Sequence, residues 1–185
     1  MTDDLERAVA RHYDSCDLAE RILLAVAAAG LDPARLSDEG LAPIDEFHIG
    51  GRAATAYALA KISLKPGDRV LDIGCGIGGA TRYLAATFGC HVTGIDLTPE
   101  YIGAAQMLAE RTGLADRVSY RIASALDLPF EDRAFDAAIT LHVAMNIQDR
   151  PRLYAETARV LKAGAPLCLY DIVQGPSEGL HYPVP

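Results

Sequence analysis

The sequence has no basic cluster. Asp plus Glu outnumber Lys plus Arg by 25 to 17, for a net charge of -8, so the electrostatic footprint of a nucleic-acid binder is missing and no nucleic-acid partner is expected. No apolar run approaches the roughly 20 residues that a membrane-spanning helix needs. The opening stretch "MTDDLERAVARHYD" carries acids where a secretory signal has a basic and then an apolar segment. Both absences lead us to expect a cytoplasmic protein with no membrane partner. Cys16, Cys75, Cys90 and Cys168 are far apart and form no C-x-x-C, which suggests neither a zinc site nor a disulfide framework; they read as small buried apolar groups. His12, His48, His91, His142 and His181 show no paired ligand spacing, so no metal is expected. There is no internal repeat and no low-complexity tract.

What is present is enough chain for one domain: 185 residues, half of them hydrophobic and 23% charged. From Arg69 onward, short apolar segments alternate with helix-length ones. "RVLDI" precedes a helix to about Phe88, "HVTGI" a helix to Thr112, and "VSYRI" follows; "FDAAIT" precedes a helix to Lys162, and "PLCLYDIV" closes the series. The alternation predicts a parallel sheet with helices on both faces. Thr98 is placed to cap a helix, Pro99 to open it and Gly113 to end it. Upstream, "DLAERILLAVAAAG" reads as an apolar helix, "LDPARLSDEGLAPIDEFHIGG" as a loop, and Arg52 to Ile62 as another helix. The terminal "QGPSEGLHYPVP" reads as an irregular tail.

The stretch "VLDIGCGIGGATRYL", Val70 to Leu84, carries the chemistry. Gly74, Gly76 and Gly79 fit the G-x-G-x-x-G of a dinucleotide site, while Gly74, Gly76 and Gly78 fit G-x-G-x-G. A strand, a glycine loop and a helix start make a nest of backbone N–H groups that a ligand approaches closely. Asp72 discriminates between the readings, because its carboxylate at the end of the first strand would repel a pyrophosphate by about 1 kcal/mol or more and attract a cation. Asp96 ends the second strand about 20 residues beyond the loop, where a carboxylate accepts bonds from both ribose hydroxyls. A nucleoside with a positive charge and little phosphate follows, and S-adenosylmethionine fits. Gly79 reads as a tight-packing position of the helix.

Four segments, "VLDIGCGIGG", "GIDLTPEYI", "ALDLPFEDRAFD" and "RVLKAGAPL", resemble the class I S-adenosylmethionine-dependent methyltransferases over Arg69 to about Val173. The resemblance implies an α/β fold, a Rossmann-like sheet of order 3-2-1-4-5 flanked by helices. It also implies a cofactor site in which Asp72 lies near the methionine ammonium beside Gly74, Gly76 and Gly78. Asp96 would hold the ribose, Leu97 one adenine face, and Ser124, Ala125 and Leu126 the adenine edge. Serine stands at 124 where the family commonly has an acid. "DEFHIGG" and "HVAMNI" further resemble the sarcosine and dimethylglycine N-methyltransferase group, extending the match to roughly Arg11 to Pro185. In that group a tyrosine matching Tyr13 lies over the active site.

His142, with Met145 and Asn146, should overhang the reactive end of the cofactor, and His48 precedes two glycines where backbone can close over it. His48, His142 and Tyr13 are therefore the candidate catalytic residues, and the expected acceptor is a small molecule, most plausibly an amine. The alternatives are carbon methylation of a quinone-like precursor, a non-catalytic cofactor- or partner-binding domain and, behind these, an NAD-dependent oxidoreductase. The expected division is a helical segment with an active-site loop over 1–62, the cofactor-binding core over 63–175 and the tail over 176–185. The resemblance also implies two further strands beyond the fifth. Their absence leads us to expect either a truncated form of a longer enzyme or a homo-oligomer that covers the sheet edge.

Overall fold

The computed structural model describes residues 18–46 and 48–173. Five parallel strands form one sheet in the order β3-β2-β1-β4-β5: β1 Arg69–Ile73, β2 His91–Asp96, β3 Val118–Ile122, β4 Ala137–Leu141 and β5 Leu167–Tyr170. The order confirms the Rossmann-like α/β expectation. β4 is buried along its whole length and β1 everywhere after Arg69, as continuous apolar runs covered on both faces must be.

Among the described residues, six α-helices accompany the strands: α1 Leu18–Ala28, α2 Asp38–Asp45, α3 Gly51–Leu59, α4 Gly79–Phe88, α5 Pro99–Arg111 and α6 Arg150–Val160. On one face, Leu59 of α3, Leu84 and Ala85 of α4 and Ala105 of α5 pack against Val70, Val92 and Ile139 of the sheet. On the other, Leu153 and Val160 of α6 cover Leu71, Ile73 and Ile95. A third cluster joins Ile22 and Val26 of α1 and Leu41 of α2 to Ile77 and to Leu108 of α5. The apolar stripe of α1 thus finds its partner on the outer flank of α5. Cys75, Cys90 and Cys168 are free and buried, as read from their spacing. Among the described residues no helix is long and apolar enough to cross a membrane.

Two expectations need correction. The span taken as one loop before α3 contains α2, capped by Ser37, whose hydroxyl accepts the Gly40 N–H at 3.0 Å. The composition hid it, because Pro43 lies inside the helix and its fold depends on ion pairs made elsewhere. Thr98 occupies the N-cap position of α5 but makes no side-chain cap bond; the Thr98 N–H instead donates to Asp96 Oδ1 at 3.0 Å. Pro99 opens α5 as expected, and Gly113 follows its end at a φ of 70°.

Those ion pairs fasten α2 and α3 to α4. Arg82, fully buried, donates to Asp45 Oδ2 at 2.5 Å and to the Ile77 carbonyl at 2.8 Å. Arg52 bridges Asp38 and Glu46, its Nε lying 2.6 Å from Glu46 Oε1. Burial pushes the Asp45 pKa up while Arg82 and Arg52 pull against it. A buried charge deprived of its partner costs far more than the pair contributes. Arg82→Leu should therefore lower stability by about 3–5 kcal/mol in urea unfolding, and adding Asp45→Asn should restore most of the loss.

Candidate active site

Apart from His48, on the α2–α3 loop, and Tyr13, outside the described residues, the candidates lie at or just beyond the carboxyl ends of the strands, where open parallel sheets place their crevices. The loop after β1 turns on Gly74, Gly76 and Gly78, with φ of 75°, 53° and 82°. Their roles differ. A Cβ on Gly74 would lie 2.3 Å from Val143 Cγ2 and one on Gly78 2.4 Å from the Tyr120 hydroxyl, whereas Gly76 faces open space. Gly74 and Gly78 are packing glycines, and Gly76 leaves room for a ligand. Gly79 has ordinary helical φ, and a Cβ there would meet the Asp45 carbonyl at 2.6 Å, which supports the packing role read for it.

The expected nest of free amides is not what the loop presents. The Gly74 and Cys75 N–H groups both donate to the Ile95 carbonyl, at 2.8 and 2.9 Å, the Gly78 N–H to the Cys75 carbonyl at 2.9 Å, and the Gly76 N–H to Asp96 Oδ2 at 3.0 Å. Bonds to the end of β2, and one within the turn, use these four donors. Such a loop offers a phosphate little, and the carboxylates beside it repel one.

Asp72 is 2% exposed and accepts the Thr81 hydroxyl of α4 at 2.6 Å. Burial raises its pKa from 3.8 to about 7, Thr81 opposes the rise, and Glu46 and Asp96 add to it. The residue is thus a covered acid with a divided protonation state, and not the open carboxylate expected at the crevice mouth. Asp96 is partly buried and anchored through Gly76 and Thr98, one amide on each oxygen. Burial raises its pKa against those bonds. The Thr98 hydroxyl and the Leu97 N–H add to the donors on this carboxylate.

Leu97 is half-buried beside Asp96. Ser124 accepts the Leu126 N–H at 3.0 Å, so its hydroxyl shapes the turn that carries Ala125 and Leu126. Three side chains of α6 hold this segment: Arg152 donates to the Leu126 carbonyl at 2.9 Å, Arg159 to that of Leu128 at 2.9 Å, and Glu156 accepts the Leu128 N–H at 2.9 Å.

At the far end of the crevice three rings meet. His48 and His142 have centroids 5.5 Å apart, and Tyr170, at the end of β5, lies 5.2 Å from His142 and 6.0 Å from His48. His142 has a φ of 58° and donates its N–H to the Tyr170 carbonyl at 2.8 Å. A non-glycine residue held there by its surroundings is the kind of strain that gathers at functional sites. The Tyr170 hydroxyl donates to the Ile49 carbonyl at 3.2 Å, tying the α2–α3 loop to the sheet. Asp171 Oδ2 accepts the Met145 N–H at 2.9 Å, which fixes the turn after β4.

The two histidines picked from sequence are thus brought together, while Tyr13 lies outside the described residues. Asn146 is buried in a 3₁₀ turn over Ala144–Asn146, and the cap of α6 is Asp149, which accepts the Arg152 N–H at 3.1 Å. Sequence reasoning missed Glu46, Tyr170 and Asp171. The strand-end rule that found Asp72 and His142 points to the last two when it is extended to β5.

Residues 71–169 match the family described as methyltransferase domain, and the chain belongs to that family. It is 37% identical over 143 residues to an ajmaline N-methyltransferase of Rauvolfia serpentina, covering 70% of this chain and 49% of the relative. A Galdieria sulphuraria structure described as a sarcosine dimethylglycine methyltransferase is 26% identical, with a TM-score of 0.59 over 60% of this chain and 42% of the other. Geranyl diphosphate C-methyltransferase from Streptomyces coelicolor, solved with Mg2+, geranyl diphosphate and S-adenosyl-L-homocysteine, is 27% identical, with a TM-score of 0.59 over 61% and 43%. The chain spans less than half the length of each of these three proteins.

Two outcomes test this geometry. An acid whose pKa is higher folded than unfolded stabilises at low pH, and that contribution is lost as pH climbs from 3.8 through about 7. Asp72→Asn should therefore raise the melting temperature at pH ~8 by about 5 °C or more, by less at pH ~5, and little at pH ~3, where the carboxyl is neutral folded and unfolded alike. Gly74→Ala should cost about 3 kcal/mol or more through its collision with Val143. Gly76→Ala should cost only the ~1–2 kcal/mol of its left-handed backbone, as read by denaturant unfolding.

Proposed function

We propose that the chain is the catalytic core of an S-adenosylmethionine-dependent methyltransferase acting on a small molecule, most plausibly an amine. The observation that carries the reading is the pair of acids, buried Asp72 and partly buried Asp96, around a loop in which the Gly74, Cys75, Gly76 and Gly78 amides are already taken. This crevice suits a ribose and a cation and disfavours a diphosphate, which sets aside the NAD-dependent alternative. Family membership and the cofactor product bound in the geranyl diphosphate enzyme support the same choice.

Asp72 would face the ammonium, Gly76 would give the ligand access to main chain, Asp96 would hold the ribose, and Leu97 with Ser124 to Leu126 would border the adenine. Bound there, the cofactor supplies an electrophilic methyl group. The protein's own contribution is to position the two reactants, exclude water and handle the acceptor's proton. His142 and His48 are the catalytic candidates because they converge beyond Asp72. The amine assignment leans on the N-methyltransferases among the similar proteins and on the carboxylates Glu46 and Asp171 beside the rings. Carbon methylation is the second reading, favoured by the geranyl diphosphate enzyme. The exposed side chains of Leu169 in β5 and of Ile172 and Val173 just beyond it support a polypeptide cover there, from a second copy or from further chain.

Calorimetric titration should give saturable binding of S-adenosylmethionine and S-adenosylhomocysteine and none of NAD; the reverse pattern ends the proposal. Asp96→Ala should weaken the nucleoside about tenfold, since hydrogen bonds from both ribose hydroxyls lose their acceptor in a partly desolvated cleft. Incubating the full-length gene product with methyl-labelled cofactor and a panel of amines, quinols and phenols should label an amine.

A further inference from the structure

The proton placement at the ring cluster follows from its acceptors. His48 Nε2 lies 2.7 Å from Glu46 Oε2, and its Nδ1 lies 3.3 Å from the Ile49 carbonyl. A carboxylate and a carbonyl only accept, so both ring nitrogens must carry hydrogen. Thr55 donates its hydroxyl proton to Glu46 Oε2 at 2.6 Å and turns a lone pair toward His48 Nε2 at 2.9 Å. Glu46, with its side chain 1% exposed, is kept an anion by these bonds and by Arg52: burial pushes its pKa up, and they outweigh it.

On this methyltransferase reading of the site, we propose that Glu46 is a positioning residue that keeps His48 an imidazolium, and that His48 in turn leaves His142 the neutral imidazole that receives the acceptor's proton. An ammonium must lose an N–H proton before it has a lone pair to react. That N–H bond breaks, an N–H bond forms at the unprotonated ring nitrogen of His142, and the partly exposed imidazolium returns its proton to solvent. A second cation 5.5 Å from His48 is disfavoured while the acceptor is absent, so His142 is kept ready to act as a base.

Among the described residues, the following charged and titratable groups face the pair. Glu46 and Asp72 face His48, with Arg52 behind Glu46; Asp171 faces His142, with Arg150 behind it; Tyr170 touches both rings. The hydrogen bond to Glu46 raises the His48 pKa, whereas burial and then the His48 charge lower that of His142. Environments that drive two like groups apart assign the acid and the base.

Long-range 1H–15N correlation spectra of the full chain with labelled histidines, recorded over a pH range of about 5 to 9, test this without any turnover. His48 should be doubly protonated and His142 neutral at pH ~7. Glu46→Gln should lower the His48 midpoint by about one pH unit or more and raise that of His142. His48→Gln should raise the His142 midpoint directly and serves if Glu46→Gln fails to fold. A neutral His48 at pH ~7 in the unaltered chain, or a His142 midpoint indifferent to the loss of the His48 charge, overturns the proposal. Nucleoside titration of the same samples judges the methyltransferase reading separately: failure to bind sinks that reading, whereas the wrong histidine pattern in a binding-competent chain sinks this one.

Discussion

The buried contact between Arg82 and Asp45 is the constraint on which the rest of this structure depends. Arg82 belongs to the helix that the glycine loop launches, and Asp45 ends α2, one residue before Glu46. A guanidinium at 0% exposure has no water to turn to, so its carboxylate partner has one place to be. Through this contact the α2–α3 loop is registered against the loop after β1. Gly79 lets the two backbones approach, because any side chain there would strike the Asp45 carbonyl. The glycine-loop end and the histidine end of the crevice thereby share one rigid reference.

Electrostatics then divides the crevice. Asp72 and Asp96 are both pushed toward neutrality by burial, and each is held by bonds that oppose the push. A cationic, ribose-bearing ligand would relieve that tension by supplying the charge and donors the folded chain withholds. The chain alone is stable in spite of Asp72, a trade of stability for function familiar at binding sites. At the other end, Glu46 is satisfied three times over, by His48, Thr55 and Arg52, and its charge stays within the cluster.

Much of this was legible in the residues. Alternating apolar and helical segments named all five strands, and Asp72, Asp96, His48 and His142 were singled out by their places at strand ends and beside glycines. What escaped had physical reasons. The α2 segment carries Pro, Gly and Asp, which read as loop, and its helix is held by ion pairs to residues far along the chain, such as Asp45 to Arg82. The loop amides looked available for a ligand because the sequence does not reveal that the Ile95 carbonyl and Asp96 take them. Tyr170 looked like one more apolar strand residue until β5 brought its ring beside two histidines. Glu46 lay two positions from His48 in plain sight, but only the fold makes that short separation a hydrogen bond.

The acceptor end draws on three separate stretches: the α2–α3 loop with His48, the turn after β4 with His142, and the tip of β5 with Tyr170. None of them carries Asp72, Gly76 or Asp96. On the proposed function, what receives the methyl group could be redrawn by trading short surface segments while the half around Asp72 and Asp96 is inherited intact. One scaffold of this kind is free to diversify across amines, carbon nucleophiles and other acceptors.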